Sequence, residues 1–306
     1  MSKSYKIAVF YYTQTQQLLN ILKSLLAPLE AEGYKVIYKA IEPVVPFSFP
    51  WTSDRFYQAF PETRQEIVFE NKEIDFSDVS DADLVIMGYQ PWFLSPSIPF
   101  SSFLQQQTTQ NYLNGKMVMT VVGSRNMWIS AHDSVEWHFF KANCNWIGNI
   151  VLEDRHNNLV SVLTIFRWLI DGQKEASRYL PEAGVSQQDI DSLAALAPDL
   201  SYALENKDYK TLQTKIADKG FVAFHDNLYL IERTGYKMFG FWSKWILEKG
   251  PYMSEARKFR LTLFKYYLMA VIFVISPFGT LFFNLTYPLR KSSLQSVRNK
   301  YVYLHH

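Results

Sequence analysis

The sequence predicts a doubly wound α/β fold: a parallel sheet of five strands with an aromatic insertion and a mainly helical, apolar C-terminal extension. Three observations predict it. Five short apolar runs alternate with amphipathic helical stretches through residue 155, the pattern of repeated βα units. Residues 42–75 break that alternation with Pro43, Pro46, Pro50 and Pro61 set among Phe47, Phe49, Trp51, Phe56, Tyr57 and Phe60. From Tyr266 to Leu289 the chain carries no charged residue at all.

The first unit is the stretch Lys6 to Gln17 with the helical run Leu18 to Leu26 behind it: a buried strand, a tight polar loop and a crossover helix. Backbone N–H groups at the loop and helix start carry partial positive charge. With the hydroxyls of Thr13 and Thr15 and the amides of Gln14, Gln16 and Gln17, they suit a single phosphate. The loop holds no Lys or Arg and lacks the glycines of a dinucleotide fingerprint or a Walker loop, which argues against triphosphate chemistry. A threonine-capped helix N-terminus is the plain structural alternative.

Tyr34 to Ile41 alternates as a second strand. The aromatic insertion is too apolar for a solvated linker and is expected either to cover a sheet edge or to wall an apolar cleft. Ala82 to Gly88 is apolar throughout, as a strand buried on both faces should be. It leads through Tyr89-Gln90-Pro91-Trp92-Phe93 and a Pro-rich loop into a helix from Phe100 to about Tyr112. Met117 to Gly123 is another buried strand, continued by Ser124-Arg125-Asn126-Met127-Trp128. A helix from Ala131 to Asn145 and a strand from Ile147 to Glu153 complete the set. Right-handed crossovers wind such a sheet, and ligands then bind outside the strands' carboxyl ends, where all three loops emerge.

Composition narrows the function classes. Of 306 residues 48% are hydrophobic and 16% aromatic, which favours an apolar ligand or a membrane surface as partner. The net charge of +2, without a basic stripe interleaved with stacking aromatics, argues against nucleic acid. The single Cys144 excludes an intramolecular disulfide and a cysteine-ligated cluster, and no metal site is expected; the start of the chain does not read as a secretory signal. The body is expected in the cytoplasm.

The first loop resembles the FMN phosphate loop of flavodoxin-like proteins, commonly Ser/Thr-x-Thr-Gly-x-Thr. Thr13 and Thr15 stand at the first two hydroxyl positions, Gln16 in place of the glycine and Leu18 in place of the last threonine. Gln90, Pro91, Trp92 and Phe93 look like the loop that covers one face of the isoalloxazine. Gly123, Ser124, Arg125 and Asn126 look like the loop that offers backbone N–H groups to the flavin pyrimidine. The resemblance implies FMN as cofactor. Together with the long apolar extension, these loops look like the DarA family of dialkylresorcinol biosynthesis. That resemblance implies an aromatase that oxidises a hydrophobic 2,5-dialkylcyclohexane-1,3-dione, made by a partner ketosynthase, to a 2,5-dialkylresorcinol. The alternatives on the same fold are an NAD(P)H-dependent flavin or quinone reductase and a membrane-associated FMN electron carrier.

Aromatisation removes a hydride from one ring carbon and a proton from its neighbour. It calls for a flavin acceptor, a base with a pKa near neutrality and a donor for the enolate oxygen. His132 is the expected base, with Asp133 as its orienter or as an alternative base; the structural alternative is that Asp133 or Ser130 merely caps the helix. Arg125 is expected at the enolate or at the flavin O2. His225-Asp226 is a second His/Asp pair.

Two domains follow, residues 1–155 with the sheet and residues 156–306 as the helical extension. Helices are expected near Leu159 to Ile170 and from Ser201 to Asp218. Tyr266 to Leu289 is long enough to cross a bilayer, yet Ser276-Pro277 and Gly279 interrupt it. Arg257, Lys258, Arg260 and Lys265 flank one side, and Arg290, Lys291, Arg298 and Lys300 the other, against the positive-inside tendency of a span. The expectation is a monotopic hairpin or interfacial anchor turning at Pro277 and Gly279, peripheral to the cytoplasmic face of the inner membrane. A soluble core helix pair is the alternative.

Overall fold

The computed structural model describes residues 5–304; the outermost residues of the two expected domains, 1–4 and 305–306, lie outside the described residues. Strands β1 (Lys6–Tyr11), β2 (Lys35–Ala40), β3 (Leu84–Tyr89), β4 (Met117–Ser124) and β5 (Asn145–Glu153) form one all-parallel sheet in the order β2-β1-β3-β4-β5. This is the flavodoxin-like order, in which the chain reverses its direction of travel across the sheet between β1 and β3. Val9 stands between Tyr38 and Ile86, and Met87 pairs with Thr120. Every residue of β3 is buried, which requires cover on both faces.

Helix α1 (Gln17–Ala31) supplies part of that cover with Leu18, Ile21, Leu22, Leu25, Leu26 and Leu29, a stripe at helical spacing. It sits so close to β3 that a Cβ on Gly88 would lie 2.8 Å from Leu22 Cδ1. The aromatic insertion folds as an irregular segment and helix α2 (Ser53–Arg64), whose N-terminus is capped by Thr52 Oγ1 accepting from Arg55 N at 3.3 Å. The expected helix after β3 is two, α3 (Ile98–Gln105) and α4 (Gln107–Leu113), because the backbone of Gln106 is extended between them. Helix α5 (Ile129–Ala142) joins β4 to β5.

The boundary at residue 155 divides the sequence pattern but not the core. After α6 (Asn158–Asp171), the segment with α7 (Gln187–Ser192) and α8 (Ala197–Asn206) lays Ile190, Leu193, Leu196 and Leu200 into the same apolar cluster as α1 and the sheet. The helix expected from Ser201 to Asp218 is interrupted: Lys207 turns left-handed after α8, and α9 (Leu212–Asp218) packs on β5. There Gln213 accepts from Asn149 N at 2.7 Å and donates to Val302 O at 2.7 Å.

Helix α10 (Asp226–Leu247) and the run α11 (Lys258–Ala270) and α12 (Ser276–Tyr303) form an antiparallel hairpin. Its turn corrects the expectation from the sequence. The chain stays helical through Pro277 and Gly279, because a π-helical stretch, Val271–Ile275, directly precedes them and its wider turn accommodates the proline. The reversal lies instead between α10 and α11, at Gly250 with φ +136°. Arg257, expected among the membrane-flanking cations, is fully buried in that turn. Its Nη1 and Nη2 hold Glu62 of α2 at 2.5 and 2.9 Å, and Nη2 also donates to Gln58 O. Among the described residues, Glu255–Gly279 is a helical segment long and apolar enough to cross a membrane; its most apolar window has a mean hydropathy of 1.7, and only 17% of that window is buried.

Candidate functional site

The loops after β1, β3 and β4 meet at the carboxyl edge of the sheet around a cavity of about 210 Å³. The structure brings to it Gln14, Thr15 and Gln17 of the first loop, Gln90, Pro91, Trp92 and Phe93 of the second, and Gly123, Ser124 and Arg125 of the third. Thr13 and Gln16 belong to the same first loop but face a neighbouring pocket beside β2, and Asn126 lines a polar cleft beyond β5. Gln16 has φ +64°, so this chain keeps a left-handed turn where the resembling loops have glycine. It is the residue before α1, and no side chain caps that helix. The hydroxyls of Thr13 and Ser124 are buried without a partner. A helix N-terminus without a side-chain cap and two orphaned hydroxyls fit a phosphate and the polar edge of a flavin.

Two side chains of the first loop are committed elsewhere. Gln14 Oε1 accepts from Trp51 Nε1 at 3.0 Å while its Nε2 donates to Ser48 O. Gln17 exchanges hydrogen bonds with the backbone of Val185 at 3.0 and 3.1 Å. The neighbouring Gly184, at φ +85°, could not carry a Cβ without meeting Gln17 and Trp168 within 2.8 Å. These residues shape the loop; its backbone and the threonines remain for a ligand.

The second loop is a short hairpin, Pro91–Trp92 against Ser95–Pro96, whose two turn residues Phe93 and Leu94 both have positive φ. Such a turn favours Asn-Gly, and two non-glycine residues there cost on the order of 1–3 kcal/mol each. The gain is that Phe93 is thrust into the cavity. Trp92 is held edge-on by Phe47 and Trp51 of the insertion, at 5.3 and 5.4 Å between ring centres. The insertion therefore walls the cleft, with Trp51 and Phe56 on its lining.

Arg125 is clamped by α6. Its Nη1 donates to Asn158 Oδ1 at 2.7 Å, to Asn158 O at 3.1 Å and to Ser161 Oγ at 3.2 Å. Burial lowers its pKa to about 10, opposed by the nearby Asp154, Glu153 and Glu232, so it stays a cation at neutral pH. Arg125 also lines a second, apolar cavity of about 530 Å³ between α6, α10, α11 and α12. Phe56, Pro91, Phe93, Ile165 and Leu169 are likewise shared, so the two cavities adjoin. No Asp, Glu or His lines either cavity among the described residues.

The expected base is not there. His132 is fully buried on the far side of α5, its ring 4.5 Å from that of Trp146 and 5.4 Å from that of Tyr301. One turn into α5 it points down into the core, away from the loop that Arg125 occupies. Asp133 accepts from Tyr301 Oη at 2.9 Å and pairs with Arg233, tying α5 to α10 and α12. Although His132, Asp133 and Glu136 lie close enough to share a metal ion, Asp133 and Glu136 are already matched by Arg233 and Lys300. The capping role that the sequence left open to Asp133 or Ser130 belongs to Glu232 of α10, which accepts from Ser130 N at 2.6 Å. Desolvation raises its pKa to about 7. His225 pairs with Glu153 rather than Asp226, whose carboxylate accepts from Tyr287 at 2.9 Å.

Sequence reasoning missed Asn158, Ile165, Trp168, Gly184 and Glu232. Only the Asn157-Asn158 pair at a helix start carried a local signal; the others arrive from distant segments by packing.

No family model matches the sequence, and no curated protein does either. Among solved structures, the chain is similar to a flavoprotein from Bacteroides eggerthii DSM 20697, with 18% identity over 48% of this chain and 87% of that one and a TM-score of 0.40. A flavodoxin, WrbA-like protein from Agrobacterium tumefaciens shares 9% identity over 66% of this chain and 99% of that one, with a TM-score of 0.39. A flavoprotein from Lactobacillus acidophilus NCFM, solved in complex with FMN, shares 16% identity over 48% and 93% of the two chains, with a TM-score of 0.36.

Proposed function

We propose that this chain is an FMN-dependent oxidoreductase that aromatises a hydrophobic cyclohexane-1,3-dione to a dialkylresorcinol, the reaction implied by its resemblance to the DarA family. The observation that carries the proposal is the junction of two unlike cavities at Arg125: one bounded by the three sheet loops, the other a larger apolar space walled by the extension. FMN when bound supplies a two-electron acceptor. In this reading the phosphate would be held by Thr15 and the N-terminus of α1, with Thr13 on the neighbouring face of the same loop, and the ring system by Trp92, Phe93 and the backbone of Gly123 and Ser124. The alkyl groups of the substrate occupy the apolar cavity.

Arg125 holds the negative charge of the enolised dione at its oxygen, and Asn158 and Ser161 fix the guanidinium for that purpose. Among the described residues no carboxylate or imidazole lines either cavity, so the proton from the ring carbon next to the hydride donor would pass to water at the cavity mouth beside Ile275 rather than to His132. Phe56 and Phe93 shield the hydride-donating carbon on the flavin side.

The substrate reaches the site from a membrane surface, where a ketosynthase partner can deliver it. Phe259, Tyr266, Val274, Phe278, Leu285 and Leu289 lie exposed along α11 and α12, beside Lys258, Lys265, Arg290 and Lys291. Ile275 both lines the apolar cavity and is 56% exposed, so the cavity opens on that face. Purified protein should carry FMN, turn over a 2,5-dialkylcyclohexane-1,3-dione with dioxygen or another electron acceptor and without NAD(P)H, and sediment with anionic vesicles. FAD or no flavin, or turnover that depends on NAD(P)H with a quinone, overturns the reading, the latter in favour of a reductase. FMN without substrate turnover leaves an electron carrier.

A further inference from the structure

We propose that Gly235 on α10 and Gly279 on α12 are specificity-determining positions, whose missing side chains keep the apolar cavity open for an unbranched alkyl chain. Both line that cavity, and both lie inside helices, where glycine is disfavoured. Neither has a positive φ, so the backbone does not require them. The other common reason for a helical glycine is close approach of a neighbouring element, and that is absent too. Among the described residues, a Cβ on Gly279 would meet nothing within 4 Å, and one on Gly235 only the flexible tip of Leu94, Cδ1 at 3.4 Å. The space beside them is cavity.

The two positions lie on the walls of one cavity. The antiparallel pair is held at one end by Tyr287 Oη on Asp226 and at the other by Phe239 against Phe264, 5.5 Å between ring centres. Gly235 and Gly279 lie between those ends. About one turn away on the same lining stand Ile231 and Met238 on α10, Ile275 at the end of the π-helical stretch and Phe283 on α12. The glycines thus open a slot between bulky neighbours, which admits a chain of methylenes and rejects a branched or ring-bearing tail.

This inference rests on the proposed function only in taking the cavity as the substrate's, so binding is measured without turnover. Full-length, FMN-loaded protein is titrated calorimetrically with 5-hexylresorcinol and 5-dodecylresorcinol. Each buried methylene is worth about fourfold in affinity, so excluding even two or three lowers dodecylresorcinol affinity at least tenfold. Gly279→Phe should show that loss while hexylresorcinol changes less than about twofold. Gly279→Ala and Gly279→Leu should fall between in order of volume, and Gly235→Leu should act in the same direction. The thermal midpoint of Gly279→Ala should hold or rise, because a helix-interior glycine has been replaced, which separates the effect from unfolding; if Gly279→Phe does not fold, the leucine variants carry the comparison. Unchanged dodecylresorcinol affinity in the leucine variants, or equal losses for both probes, overturns the inference. Absent turnover with these affinity changes intact overturns the proposed reaction alone.

Discussion

The interior of the sheet half and the helical hairpin treat empty space in opposite ways. Around β1, β3 and β4 the side chains of α1, α3 and α5 fill the interior, and the space beside Gly88 is taken by Leu22 and Tyr11. In the hairpin, α10 and α12 leave an adjoining cavity of about 530 Å³ and a bare apolar face. A filled scaffold fixes three loops in register, since close-packed interiors do not deform freely. Cavities and exposed apolar surface reduce stability, and under the proposed function this is the region that would take the apolar substrate and the membrane surface.

The comparison can be broken first at the joint between the halves. Arg257→Ala leaves Glu62 buried without its partner and should cost about 3–5 kcal/mol, read from the urea midpoint of the whole chain. A change confined to a minor, separate transition would show that the hairpin is not part of the common core. Next, Arg125→Gln should lower turnover by a factor of about 10² to 10³, the scale of losing one charge-stabilising donor, with FMN content retained. His132→Gln should instead lower the thermal midpoint and leave the residual turnover per folded molecule unchanged; a selective hundredfold loss would return the base to His132.

Glu232 sharpens the picture through pH. Its pKa is raised from an ordinary carboxylate value to about 7, chiefly by desolvation, so the folded state keeps the proton that the unfolded state has already lost. Stability should therefore fall as pH rises from about 4.5 to about 7 and then level. Glu232→Gln, which can still accept from Ser130 N, should remove that slope and gain at most about 3 kcal/mol at pH 8, near 1.4 kcal/mol per pKa unit. The smallest effect is expected in the sheet half: Thr15→Ala should weaken FMN binding by about 1 kcal/mol or somewhat more, measured by equilibrium dialysis.

Local pattern was sufficient for the strands, the switch in strand order and the three loops. Strand period, uninterrupted apolar runs and polar loop residues act over fewer than ten neighbours, and a doubly wound sheet collects its loops at one edge whatever the side chains beyond them. The same pattern marked Arg125 and the Trp92-Phe93 turn. It placed the hairpin turn at Pro277 wrongly, because a proline ends a helix only when no adjacent wide turn takes up the strain.

Everything that depended on which face a residue presents was settled by packing between segments far apart in the chain. His132 and Arg125 lie seven residues apart on one loop and helix, yet one faces Trp146 and the other the cavities, a difference no spacing rule distinguishes. Asn158 on Arg125 and Arg257 on Glu62 are encounters across long stretches of chain. Their energies arise only when burial removes water from both partners at once, which a linear string of residues does not record.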